Sequence, residues 1–169
     1  MVFNDLNINK LLLILAKDSL PYQSSEEMEK IKDFKICFLD DFAEGNNIMG
    51  KYYFSGHRIK IFGTPKLSRN YILRTSIHEF AHHINYVIQG GTDHDEKFFD
   101  EFTRLLHSAL DFDLLDVEEL LSDTFTKDRH RVKAMVNSWK NKNPGKYFLI
   151  RQDYPEFFVD EKKFFFCFK

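Results

Sequence analysis

Residues 68–91 read SRNYILRTSIHEFAHHINYVIQGG, a segment with a helix start signal, a helix stop signal and apolar residues between them. Ser68 suits a helix N-cap, because its hydroxyl accepts a hydrogen bond from a backbone N–H of the first turn. Gly90-Gly91 is a strong stop, since glycine adopts the left-handed conformation that ends many helices. Between these signals Ile72, Leu73, Ile77, Ala81, Ile84 and Val87 put apolar side chains on several sides. The spacing predicts a long, buried helix from Ser68 to Gln89.

That helix carries His78-Glu79-Phe80-Ala81-His82, an HExxH motif. Positions i and i+4 differ by about 40° around an α-helix, so both imidazoles leave from one face. Their separation suits two Zn–N bonds of about 2.0–2.1 Å. Glu79 is rotated by about 100° from His78, close to such an ion without ligating it. There a carboxylate is placed to take a proton from metal-bound water. Buried histidines need partners, which favours a metal site over two solvated rings.

A catalytic zinc takes a third protein ligand and keeps a fourth position open. His94 is the first candidate. It lies past the two glycines, on the expected first turn of a second helix starting at Thr92 or Asp93. Asp93 with Glu96 fits a capping box, and Thr92 with Asp95 fits one more weakly. A chain reversal at the glycines brings His94 back beside the later half of the motif, with Phe98 as a core anchor four residues on. Glu96 and Glu101 are the carboxylate alternatives. His83 is the least suited, because it points about 100° away from His82. The inner face of the second helix is expected to be Phe98, Phe102, Leu105, Leu106 and Leu110.

Toward the N-terminus, residues 4–17 read as a helix with Leu6, Leu11, Leu12, Ile14 and Leu15 loosely at helical spacing, ended by Pro21. Ser24 and Ser25 followed by Glu26, Glu27 and Glu29 open a second short helix. Ile36–Leu39 reads as a strand. Gly50–Phe54 and Arg58–Phe62 read as two more, joined by Ser55-Gly56-His57. Toward the C-terminus, Asp116–Phe125 is a short helix candidate and Asn143-Pro144-Gly145 a turn. The segments around Tyr147–Ile150 and Lys163–Phe168 suggest strands. Phe157, Phe158, Phe164, Phe165, Phe166 and Phe168 imply that this end packs. The predicted fold class is α+β: an N-terminal helix, a small mostly antiparallel sheet, the HExxH helix packed on a following helix, and a mixed C-terminal segment. Two units are expected, a core over residues 1–126 and a basic, aromatic-rich segment over 127–169.

With 169 residues, the chain suits one compact domain or a domain with a small appendage. Hydrophobic residues at 43% and charged residues at 30% exclude a wholly disordered chain. The apolar run Leu11–Ala16 is far shorter than the ~20 residues of a membrane span, and it makes a poor signal peptide. The sequence therefore predicts a cytoplasmic protein with no membrane partner. Cys37 and Cys167 allow one disulfide and no metal knuckle. Charge is unevenly spread. Residues 127–169 hold 11 Lys+Arg against 5 Asp+Glu, and the remainder holds 13 against 21. Within the basic stretch Lys127, Arg129, Arg131, Lys133, Lys140, Lys142 and Lys146 are candidate nucleic-acid contacts, with Trp139 and Tyr147 nearby for base stacking.

Taken together, a hairpin ending in Ile59–Phe62, the HExxH motif and His94-Asp95-Glu96-Lys97-Phe98 resemble the SprT-like (Spartan-related) minimal zinc metallopeptidases over about residues 50–110. The resemblance implies one zinc ion held by His78, His82 and His94, with Glu79 as general base, and a protein or peptide substrate. It further implies an endopeptidase, and the basic stretch, as a DNA contact, would direct it to DNA-associated proteins. Many relatives carry a four-cysteine zinc ribbon, which two cysteines cannot build, so 127–169 is expected to be a metal-free replacement. Besides the metal, Tyr52, Tyr53, His57 and Tyr86 are candidate oxyanion donors, and Arg58–Phe62 is a candidate edge strand for binding an extended peptide. Two other functions fit the same sequence: a regulatory metallopeptidase that cuts one dedicated partner, and a non-catalytic interaction protein that retains the fold.

Overall fold

The computed structural model describes residues 5–20, 24–41, 48–122 and 128–143. Helix α1 spans Asp5–Ser19. It buries Ile8, Leu11, Leu12, Leu15 and Ala16, a stripe at intervals of three, one, three and one that lies along one helical face. Helix α2, Ser25–Lys32, opens on a capping box in which Ser24 accepts from the Glu27 N–H and the Glu27 carboxylate accepts from the Ser24 N–H. Three strands follow: β1, Lys35–Leu39; β2, Gly50–Tyr53; and β3, Arg58–Phe62. The turn between β2 and β3 places both Gly56 (φ 77°) and His57 (φ 46°) in the left-handed region.

The α+β class is as expected, and the sheet is mixed. Its order is β1-β3-β2, with β2 antiparallel and β1 parallel to β3. One expectation is thereby corrected. Arg58–Phe62 is the central strand, not an edge. Its two sides are hydrogen-bonded to β1 and β2, so it has no free ladder for a peptide. Among the described residues, β2 is the edge that borders the HExxH helix.

Helix α3, Arg69–Gln89, matches the predicted span. Ser68 caps it by accepting from the Tyr71 N–H, and Gly90 ends it at φ 69°. Helix α4, Glu96–Asp111, starts later than expected. Its N-cap is Asp95, which accepts from the Phe98 N–H at 2.8 Å. His94 therefore sits just before the helix rather than on its first turn. Phe98, Phe102, Leu105, Leu106 and Leu110 are buried as anticipated. Each such side chain contributes about 1.5–3 kcal/mol when fully withdrawn from water, so this face fixes α4 against α3 and α1.

A short helix α5, Val117–Ser122, lies inside the predicted segment. Helix α6, Arg129–Lys142, is not legible as a helix in the sequence reading. It packs on α4 through Val132, Val136 and Trp139, which join the same core as the helices before them. The expected strands after residue 143, the phenylalanine cluster and Cys167 lie outside the described residues. Cys37 is half-buried in β1. No helix among the described residues is long and apolar enough to cross a membrane.

Candidate metal centre

The site is built on one face of α3. His78 and His82, one turn apart, hold their ring centroids 5.1 Å from each other. The third imidazole arrives through the turn after α3. Gly90 supplies the positive φ, with open space around its missing side chain. Gly91 supplies room: a Cβ there would lie 2.6 Å from Asn85 Nδ2. The Asp95 cap then fixes the chain immediately after His94. As a result His94 Nε2 is 3.0 Å from His78 Nε2, and its ring lies 4.6 Å from that of His82.

One nitrogen from each of the three rings lies within 4.8 Å of the other two. A tetrahedral zinc with Zn–N bonds of about 2.0–2.1 Å separates its nitrogens by about 3.3 Å, so modest side-chain adjustment suffices. The rings stand on Phe98, whose centroid is 5.1 Å from His78, 4.3 Å from His82 and 4.6 Å from His94. This apolar floor closes one side, while exposed His94 leaves the other side open.

The protonation states suit a cation. Burial, reinforced by His78 and His94, pushes His82 down to about 3, so its ring is neutral and its lone pair available. His78 turns its other nitrogen, Nδ1, toward Asp128 Oδ2 at 3.3 Å. Burial pushes the Asp128 carboxyl up. The hydrogen bond from His78 and the charges of His78, His94 and Arg74 outweigh it, and the group lies below its ordinary value. The donor set fits a divalent metal ion: three imidazoles, one held neutral by burial, one braced by a carboxylate, and an open side.

Glu79 is buried beside these rings. Burial raises its carboxyl above the usual range. His78 and the backbone N–H of Tyr52 oppose this in part, and Asp128 adds to it. A carboxylate made more basic in this way is a better proton acceptor near neutral pH. Its position depends on Gly50. A Cβ at Gly50 would lie 2.8 Å from Glu79 Cγ, 2.9 Å from Glu79 Oε1 and 2.6 Å from Thr75 Cγ2. Only glycine lets β2 approach the motif this closely. Beside Glu79 and His78 opens a cavity of ≈ 240 Å³, lined also by Ile48–Gly50, Tyr71, Arg74, Thr75 and Asp128.

The four candidate oxyanion donors lie elsewhere. The Tyr52 hydroxyl donates to His83 Nδ1 at 3.0 Å in the interior, and burial holds that phenol well above its usual pKa. The Tyr53 ring lies 5.2 Å from Lys51 Nζ and 5.1 Å from Lys60 Nζ. His57 Nδ1 bonds the Asp33 carbonyl at 2.9 Å. Tyr86 packs against Phe54 and Tyr52. None of the four lines the cavity, whereas Tyr71 does. His83 is a core histidine. Its Nε2–H donates to the Ile31 carbonyl at 3.0 Å, and burial lowers its pKa to about 4. The carboxylate alternatives also stand apart. Glu96 is bound at the surface by Arg131, and Glu101 is buried on α4 outside the histidine group.

The basic stretch divides. Arg129, Lys133 and Lys142 are exposed on α6. Arg131 is engaged by Glu96 and Lys140 by Glu118 at 2.7 Å. Lys127, Lys146 and Tyr147 lie outside the described residues. Trp139 is not available for base stacking: it is 3% exposed, and its N–H donates to Asp111 at 2.8 Å. Sequence reasoning missed Asp128, Gly50 and Tyr71. Tyr71 shares a helical face with His78, two turns earlier, and was within reach of a spacing argument. The roles of Asp128 and Gly50 depend on contacts distant in sequence. Comparison with family models, with curated proteins and with solved structures finds no match for this chain.

Proposed function

We propose that this protein is a zinc-dependent endopeptidase of SprT-like type. The observation that carries the reading is the convergence of His78, His82 and His94 on one open point beside the buried Glu79. Three imidazoles favour zinc among common divalent ions. Zinc, when bound, supplies a water acidic enough to lose its proton near neutral pH and polarises a carbonyl oxygen. Glu79 accepts the water's proton and delivers it to the leaving amine. The cavity beside Glu79 takes a substrate side chain, and β2, rather than β3, is the strand along which an extended peptide lies.

The substrate is a protein, and we assign it to the DNA-associated class through the exposed cations Arg129, Lys133 and Lys142. The dedicated-partner reading gains from the engagement of Arg131 and Lys140 in ion pairs and from the burial of Trp139, which leave a sparse basic face. DNA-stimulated cleavage that is salt-sensitive and lost in Arg129→Glu/Lys133→Glu supports the first. Cleavage of a single protein, indifferent to DNA, supports the second.

Catalysis itself is tested with Glu79→Gln. The zinc-loaded variant should retain its metal and cleave an unfolded protein substrate about 10²–10⁴-fold more slowly than wild type. Equal activity in variant and wild type would remove Glu79 from the mechanism, and a zinc-loaded wild type inert toward every protein tried would leave a non-catalytic metal-binding protein.

A further inference from the structure

The HExxH motif and His94 occupy α3 and the turn after it, yet the centre also receives a side chain from the far end of the chain. Asp128 is 50 residues beyond His78 and sits immediately before α6. It is a helix N-cap position, but its carboxylate makes no cap hydrogen bond. It points to His78 Nδ1 instead, at 3.3 Å, with its side chain 10% exposed. His78 Nε2 faces His94 Nε2 across the open point. The two nitrogens of one ring thus face two different groups, a carboxylate and a second imidazole.

The carboxylate is held in place by the seating of α6. Val132, Val136 and Trp139 are buried against α4, and the Trp139 N–H donates to Asp111. Arg131 bonds Glu96 and lies 4.4 Å over the Phe99 ring, beside the turn that presents His94. The C-terminal segment therefore meets the site twice: Asp128, just before α6, at His78 on α3, and Arg131 at Glu96, the first residue of α4 and two beyond His94.

Building on the zinc reading above, we propose that Asp128 is a positioning residue of the metal centre: it fixes His78 as the Nδ1–H tautomer with Nε2 directed at the ion, so that the C-terminal helix forms part of the site. An ionised carboxylate accepts from Nδ1–H and cannot donate, which leaves the Nε2 lone pair for the metal. Loss of such a partner weakens metal affinity about 10–100-fold.

The test is zinc affinity by chelator competition for wild type, Asp128→Asn and Asp111→Asn. The last variant weakens the Trp139 contact of α6, and the His107 contact of Asp111, without touching His78, His82 or His94. A loss of fivefold or more in Asp128→Asn, exceeding that of Asp111→Asn, supports the assignment. A smaller loss, or an equal loss in Asp111→Asn, overturns it. A second readout needs no variant. Long-range ¹H–¹⁵N correlation on zinc-loaded wild type should show His78 protonated at Nδ1, and a proton at Nε2 with Nδ1 on the metal overturns the proposal. A wild type that takes up no zinc defeats the underlying reading and this inference together, whereas a zinc-binding wild type matched by Asp128→Asn defeats only the inference.

Discussion

Replacing Gly50 by alanine tests the seating of β2 against α3, the helix that carries the HExxH motif. The added Cβ would lie 2.6 Å from Thr75 Cγ2 and 2.8 and 2.9 Å from Glu79 Cγ and Oε1. All three separations are well inside van der Waals contact, so β2 or the Glu79 side chain must move. Overpacking of this kind costs about 1–3 kcal/mol, which urea unfolding resolves. Because Glu79, the proposed general base, is among the groups displaced, turnover should fall at least about a hundredfold, or about 2.7 kcal/mol in barrier. Zinc affinity should hold, since no imidazole is among the atoms struck. The double variant Gly50→Ala/Thr75→Ser removes the Cγ2 contact and leaves the Glu79 contact. It should regain part of the stability and none of the turnover. A Gly50→Ala protein with wild-type stability would show that β2 does not lie against Glu79, whatever its activity.

Two further substitutions probe the turn that delivers His94 and a buried carboxyl. Gly91→Ala should weaken zinc binding measurably by chelator competition, because its Cβ meets Asn85 at 2.6 Å and pushes the turn away. Gly90→Ala meets no atom within 4 Å and should cost only backbone strain at φ 69°, about 1 kcal/mol in unfolding, with zinc affinity kept. Glu101 is buried with Oε2 lacking a hydrogen-bond partner, and burial raises its carboxyl despite the attraction of Arg104. The folded state thus holds this proton more tightly than the unfolded state, so its contribution is favourable below the unfolded value and lost as pH rises through the higher folded value. Glu101→Gln should therefore gain stability over wild type at pH 7, with the gap closing by about pH 4; a gap that widens on acidification would contradict this sign.

Much of the site was legible because its signals are local. Ser68, the HExxH spacing and Gly90-Gly91 specify α3 and put two imidazoles on one face. The apolar spacing from Phe98 to Leu110 specifies α4, and the short link between them limits where His94 can go. Non-local pairing was not legible. Period-two alternation marks Arg58–Phe62 as a strand, yet only the parallel ladder with β1, whose partner residues lie 23 positions earlier, makes it central. The exact cap was ambiguous, as Asp93 and Asp95 both suit an N-cap. The structure selects Asp95, which places His94 outside the helix. Helix α6 hid behind its charge: three apolar residues at intervals of four and three suffice to bury it, among many Lys and Arg. Asp128 and Gly50 have no motif at all. Their places at the site come from a contact across 50 residues and from a missing Cβ, respectively.

The central claim is that three imidazoles bind one cation. The direct measurement is metal content of the purified chain after zinc loading and desalting, by elemental analysis, for wild type and His94→Ala. Wild type should hold one zinc per chain and His94→Ala markedly less, with the fold preserved because His94 is exposed. A wild type that retains no zinc, or a variant that retains as much as wild type, would contradict it.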